Sequence, residues 1–169
     1  MLGNHFYHST IKRAVSVFGT LFNNITIKRR EGKVIPVPLA YGPRSRWIAR
    51  LQSSLDPVSK KTAISLPRMG FELTSIEYDG SRKLTKKTMF RSADSSNPQK
   101  MNYQYSPAPY NFGFQLSILV KNTDDGLQII EQILPYFTPD YTVSINTVPS
   151  MGDKRDVPII LDSVSQEDT

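Results

Sequence analysis

Residues 110–120, YNFGFQLSILV, alternate apolar with polar or small side chains, and residues 122–139, NTDDGLQIIEQILPYFTP, follow directly with a different period. Alternation at a spacing of two puts Phe112, Phe114, Leu116, Ile118 and Val120 on one face of a strand. Asn122 to Asp125 then give a helix start, with two carboxylates at the positive end of the helix dipole. Leu127, Ile130, Ile133 and Leu134 form the predicted buried stripe, and Pro135 and Pro139 close the segment. Residues 141–148, YTVSINTV, return to alternation. Strand, helix and strand in that order, with other short strands around them, predict an α+β fold: a mostly antiparallel sheet with two or three helices on one face.

Working outward, residues 10–23 repeat apolar side chains at intervals of three and four (Ile11, Ala14, Val15, Phe18, Leu21, Phe22), which predicts a helix opened by Ser9 or Thr10. Residues 25–30 and 34–40 read as a hairpin about Glu31-Gly32. Pro36 and Pro38 lack N–H groups on the same side, so the second strand is expected at an edge or paired on one side only. Gly42-Pro43 opens a short basic helix at 44–51, with Trp47, Ile48 and Leu51 on one face and Arg44, Arg46 and Arg50 on another. Beyond a linker at 53–61, residues 62–66 and 69–76 are strand-like. Residues 79–109 carry turn signals (Asp-Gly, Ser-Ser-Asn-Pro, Ser-Pro-Ala-Pro) and read as a long, irregular, basic loop, a feature that is functional or disordered in most compact domains. A polar turn at 152–154 precedes a strand at 157–161 and a polar tail at 163–169. No internal repeat is visible, and residues 1–169 read as a single domain.

Composition narrows the function. The chain has 169 residues and no cysteine, which removes disulfide frameworks, thiolate metal sites and thiol nucleophiles. The longest non-polar stretch, Val34 to Tyr41, is eight residues with two prolines, far short of the ~18 a membrane helix requires. The N-terminus lacks the pattern of a secretory signal, so an intracellular protein is expected. The net charge of +6 is uneven: residues 1–91 hold 17 Lys+Arg against 5 Asp+Glu, and residues 92–169 hold 4 against 10. Two unlike surfaces follow from that split.

Catalytic chemistry finds little support. His5 and His8 share a helical spacing but have no carboxylate or thiol beside them. No nucleophile triad, P-loop or dinucleotide fingerprint occurs. Asp124 and Asp125 are adjacent, so on a helix they point ~100° apart and form no facing acid pair; capping is their expected role. The chain reads as a non-enzyme without metal or cofactor. Two basic clusters remain: Arg82, Lys83, Lys86, Lys87 and Arg91 in the long loop, and Arg44, Arg46 and Arg50 beside Trp47. Cations with an aromatic suit an acidic protein face, and they also suit a phosphate backbone, which makes a nucleic-acid-binding module the alternative; a solvated surface needs no partner at all.

The strings SPAPYNF at 106–112, QLSILV at 115–120 and DDGLQIIEQILPYFTP at 124–139, with LFNNITIKR at 21–29 and VIPVPLAY at 34–41, resemble the tail sheath stabiliser, or tail completion, family of large contractile-tailed phages of the T-even type. The likeness spans most of residues 5–165. It implies a structural virion protein assembled in the reducing host cytoplasm, where absence of cysteine is at home. Members form a homo-hexameric ring at the head-proximal end of the tail, contact the tail sheath protein, the tube terminator protein and the neck protein, and need no membrane, cofactor or specific nucleic acid. Family members continue past the strand at 157–161 with further sheet-forming sequence, so this chain is expected to be a shorter or trimmed version. No functional residue transfers from the family; the nine residues of the two basic clusters are the candidate interface on charge alone.

Overall fold

The computed structural model describes residues 5, 7–30, 32–52, 64–93, 97, 99–148 and 152–167. In chain order these form α1 (Thr10–Leu21), β1 (Thr26–Lys28), β2 (Val34–Pro36), β3 (Leu39–Tyr41), α2 (Arg44–Gln52), β4 (Arg68–Tyr78), β5 (Met89–Ala93), β6 (Met101–Tyr105), β7 (Tyr110–Leu119), α3 (Thr123–Ile133), β8 (Asp140–Val148) and β9 (Asp153–Ile160). The protein is α+β with mostly antiparallel pairing, as its periodicities require. The pairing is divided among four small sheets: β1-β2, β3-β4-β7, β5-β6 and β8-β9.

The central sheet is built on β4, which pairs antiparallel with β7 over its whole length (Arg68↔Leu119 to Tyr78↔Tyr110) and parallel with β3 at its start. α1 supplies the cover. Phe18 is buried and its ring stacks on Phe114 of β7 at 4.4 Å, while Phe71 of β4 stands 5.4 Å away. Aromatic rings at such spacings add to the area they bury. Gly19 lets the helix approach: a Cβ there would stand 2.9 Å from the Phe71 ring. Ile27, Val37, Met69 and Ile129 complete the core at 0–1% exposure. Phe114, Leu116 and Ile118 line it from β7 and Val120 from just beyond the strand, four of the five residues of the expected face.

Several expectations are corrected. The stretch 34–40 is not one strand. β2 pairs with β1 (Thr26↔Pro36), the chain then breaks at Val37 and Pro38, and β3 departs to pair with β4. Neither proline can donate to a ladder, so the segment switches partners between them, with the Val37 N–H on the Ile25 carbonyl and the Met69 N–H on the Pro38 carbonyl. Residues 62 and 63 lie outside the described residues, and Ile64 to Leu66 are not strand. The long loop at 79–109 contains a hairpin, β5-β6, in register Met89↔Tyr105 to Ala93↔Met101. The alternation in Met101-Asn102-Tyr103-Gln104-Tyr105 carried that signal beneath the turn residues around it.

The buried stripe of α3 is also different. Asp125 and Ile129 are buried and Ile133 is half-buried, whereas Leu127 and Leu134 are 49% and 40% exposed. The rotation follows from polar contacts with β1. Gln128 Oε1 accepts the Lys28 N–H at 2.9 Å, Gln128 Nε2 donates to the Lys28 carbonyl at 3.1 Å, and Gln132 Nε2 donates to the Thr26 carbonyl at 2.8 Å. Asp125 is no cap: it accepts from Arg29 at 3.1 Å, and Asn122 holds the N-cap position without a side-chain cap bond. Both aspartates do lie in the first turn, as the dipole favours. Leu134–Tyr136 form a 3-10 turn and lead to β8-β9, a separate hairpin that does not join β7.

These contacts set testable costs. Ile129→Ala should lower stability by about 2–5 kcal/mol, as deletion of a fully buried aliphatic side chain does, and Leu127→Ala by much less, although both are apolar residues of one helix. Urea unfolding of the two variants measures the difference; equal losses would return the stripe to Leu127.

Candidate functional site

The two basic clusters are placed by different ends of β4. Trp47 of α2 is 4% exposed and lies against the start of the strand, its indole N–H donating to the Gly42 carbonyl at 3.2 Å. Gly70 makes this possible, because a Cβ there would collide with the indole nitrogen. Arg68 and Arg50 carry their guanidinium carbons 5.2 and 5.8 Å from the Trp47 ring centroid, within the range of a cation–π attraction. Arg68 is half-buried, and its Nε has no hydrogen-bond partner. Arg44 pairs with Glu167 at 2.7 Å, an exposed contact that raises the arginine's affinity for its proton and lowers that of the carboxylate, through the hydrogen bond first and the charge second. Arg46 is exposed.

The second cluster begins where β4 ends. Asp79 accepts from the Ser81 N–H and hydroxyl and from Arg82 Nε at 2.6 Å, and Arg82 also donates to Asn111. Arg82 is therefore the anchor of the loop and not one of its open cations. Lys83, Lys86 and Lys87 are fully displayed, and Arg91 lies exposed on β5 opposite Tyr103. Ten residue steps along β4, at about 3.3 Å each, separate Arg68 from Tyr78, so the two clusters lie ~30 Å apart along the strand and form two patches. Burial of Trp47 leaves the first cluster without the exposed aromatic that base stacking would use there. In an interface Trp47 acts through the arginines it orders.

Charge alone did not mark the apolar neighbours of these cations. Met101, Tyr103 and Tyr105 on β6, with Met89 and Phe90 on β5, are all large, apolar and exposed. Tyr78 and Tyr110 stand edge to face at 5.5 Å where β4 and β7 emerge from the core. Exposed aromatic and methionine side chains beside arginine are enriched in protein–protein contacts. A cleft of about 460 Å³ between the ends of α1 and α3 is lined by Leu21, Phe22, Ile25, Pro135 and Phe137, with Glu131 at its edge. It does not bring together an acid, a base and a nucleophile. Among the described residues no group of three or more histidine, aspartate and glutamate side chains could hold a metal ion, and no helix is long and apolar enough to cross a membrane.

These features define an α+β protein whose surface chemistry lies in exposed hairpins and cation-rich segments, the equipment of an assembly component. Residues 5–169 match the family model of the T4-like virus Myoviridae tail sheath stabiliser, and the chain belongs to that family. It is also 33% identical to the tail completion protein gp15 of Enterobacteria phage T4 over 177 aligned positions, covering 95% of this chain and 62% of that protein. The chain thus spans less than two thirds of the length of that relative. The family is one of structural tail proteins.

The Asp79 turn has a readable titration. Hydrogen bonds from Ser81, then Arg82, hold its carboxyl down at about 2. A depressed carboxyl stabilises the fold fully above the unfolded pKa of ~3.9 and loses that contribution as pH falls towards 2. Carboxyl NMR should find Asp79 still ionised at pH 3, and Ser81→Ala should move its midpoint upward. A midpoint near 4 in the native chain would refute the turn.

Proposed function

We propose that the chain serves in a six-membered ring at the head-proximal end of a contractile tail, where it caps the extended sheath and the tube and offers the surface to which the neck joins. The observation that carries this reading is the family match from residue 5 to residue 169. Its partners on this reading are further copies of itself, the tail sheath protein, the tube terminator protein and the neck protein.

The surface supports such a role physically. A layer in a stacked assembly meets different neighbours on different faces, and this chain carries two separate cation-rich patches, one at each end of β4. Lys83, Lys86 and Lys87 stand exposed in a segment where Arg82 alone is committed to internal contacts. Cations so placed steer an acidic neighbour and set its register more than they add raw affinity. On α2, Arg50 held over Trp47 and the exposed Arg46, with Arg44 paired to Glu167 beside them, offer a second contact to a different component.

Electron microscopy of the purified chain, with mass measured in solution and on tails, tests the ring: six-fold particles at the head-proximal end are expected, and tails complete without the chain would overturn the role. Reversal of Lys83, Lys86 and Lys87 to glutamate should leave a folded protein, since all three side chains are solvated, and should block tail completion. Normal completion by the triple variant would remove the loop from the interface.

A further inference from the structure

We infer that the β5-β6 hairpin of one copy docks, head to tail, on the outward face of the β8-β9 hairpin of the next copy. The inference rests on the ring reading and names the contact within it. Register places Met89, Arg91, Met101, Tyr103 and Tyr105 on one face of β5-β6. Met101, Tyr103 and Tyr105 are 62%, 67% and 61% exposed, although a two-stranded hairpin is only marginally stable alone in water. Such a face gains stability by being covered.

The surface that fits it is carried by the same chain. Alternation puts Asp140, Thr142, Ser144, Asn146, Lys154, Asp156, Pro158 and Ile160 on one face of β8-β9, all exposed, while Val143, Ile145 and Ile159 on the other face are half-buried; Asp140, Asp156, Pro158 and Ile160 lie towards the open end of that face and Lys154 at its turn. Ile160 is 65% exposed and stands directly opposite Asp140, with Asp162 two residues on. One hairpin face is therefore apolar and framed by cations, and the other, polar along most of its length, sets Pro158 and Ile160 among the carboxylates of Asp140 and Asp156 at its open end, with Lys154 away at the turn. Pairing two β5-β6 hairpins would bring Arg91 and the loop lysines against their own copies, so charge selects the unlike pair. A contact between two different patches repeats around a ring, which a self-complementary one does not. Each hairpin face is small against the ~800 Å² per partner of a stable pair, so the contact draws strength from ring closure and high local concentration.

The native chain has no cysteine, so single cysteines can be placed cleanly. Full-length Tyr103→Cys and Ile160→Cys chains, separately tagged, are mixed and treated with a short bismaleimide; an exposed Lys33→Cys chain is the control. The mixed 103–160 product should exceed the 103–103 product and the products with residue 33 by about tenfold, and should fall when high salt screens the charges or when Lys83, Lys86 and Lys87 are reversed. Mixed product no more abundant than the controls overturns the contact, including the case in which an acidic tail protein covers β5-β6 instead. Micrographs of the same samples separate the two readings. Six-fold rings without the 103–160 product retain the ring and remove this contact; open crosslinked chains without rings retain the contact and remove the six-fold closure.

Discussion

The outer edge of β1 is the constraint on which the arrangement of the remaining elements turns. β1 has β2 on one side, and its other side would leave the Lys28 N–H and the Thr26 and Lys28 carbonyls without a strand. A helix backbone cannot continue a ladder, but a primary amide carries the same donor and acceptor as a peptide group. Carbonyls two residues apart on a strand are separated by ~6.6 Å, and residues four apart on a helix by ~6 Å of rise, so Gln128 and Gln132 reach both at once. Arg29 and Asp125 fasten the end of the same seam. With those bonds made, α3 has one rotation left, and it is the one that buries Ile129 against Ile27. An exposed pair of charges would contribute little here; Asp125, whose side chain is only 5% exposed, is held by its partner and by the helix N-terminus together.

A second dependency runs through Trp47. Its ring occupies the space that a side chain at Gly70 would fill and lies against Gly42, and its N–H is used up on the Gly42 carbonyl. Gly42 in turn donates to Phe71, one residue beyond Gly70. The indole thus locks α2 to the β3-β4 pairing and presents a π face to Arg68 and Arg50. Flexible cations become a patch of fixed geometry because one apolar ring beneath them is immobile.

Much of this was legible in the sequence where one period acted alone. Helix α1, strands β4 and β7, helix α3 and the β8-β9 pair each follow their spacing, because burial on one face is the strongest local demand a chain answers. The departure at α3 has a polar cause. Leu127 matches a helical stripe as well as Ile129 does, and only the glutamine bonds to a strand about a hundred residues away decide between them. The split of residues 34–41 likewise depends on where β4 arrives. At the candidate surface, charge runs located the exposed lysines correctly, yet the same rule grouped Arg44 with Lys83, which β4 holds at opposite ends. Arg82 looked like one more cation and is a turn anchor. Tyr103 and Tyr105 went unmarked because their alternation is short and surrounded by turn residues.

The uneven charge of the sequence does not pass unchanged into space. β4 and β7 come from different halves and pair over their whole length, and β1 is bonded to α3, so in the core the two halves are interleaved. Polarity survives locally: in the cations of residues 82–91, which lead into β5-β6, a hairpin that straddles the split, and in the carboxylates about the open end of β8-β9. These are also the elements that keep large apolar side chains in solvent. A monomer under selection for stability alone would cover such hairpins or blunt them with charge on every face. Here β5-β6 keeps an apolar face with cations around it, and β8-β9 keeps Ile160 in solvent beside Asp140 at its open end, with its own cations Lys154 and Arg155 nearer the turn. That combination disfavours association of like with like while leaving the unlike pair attractive, so the features that make the free surface costly also specify which surface is allowed to cover it.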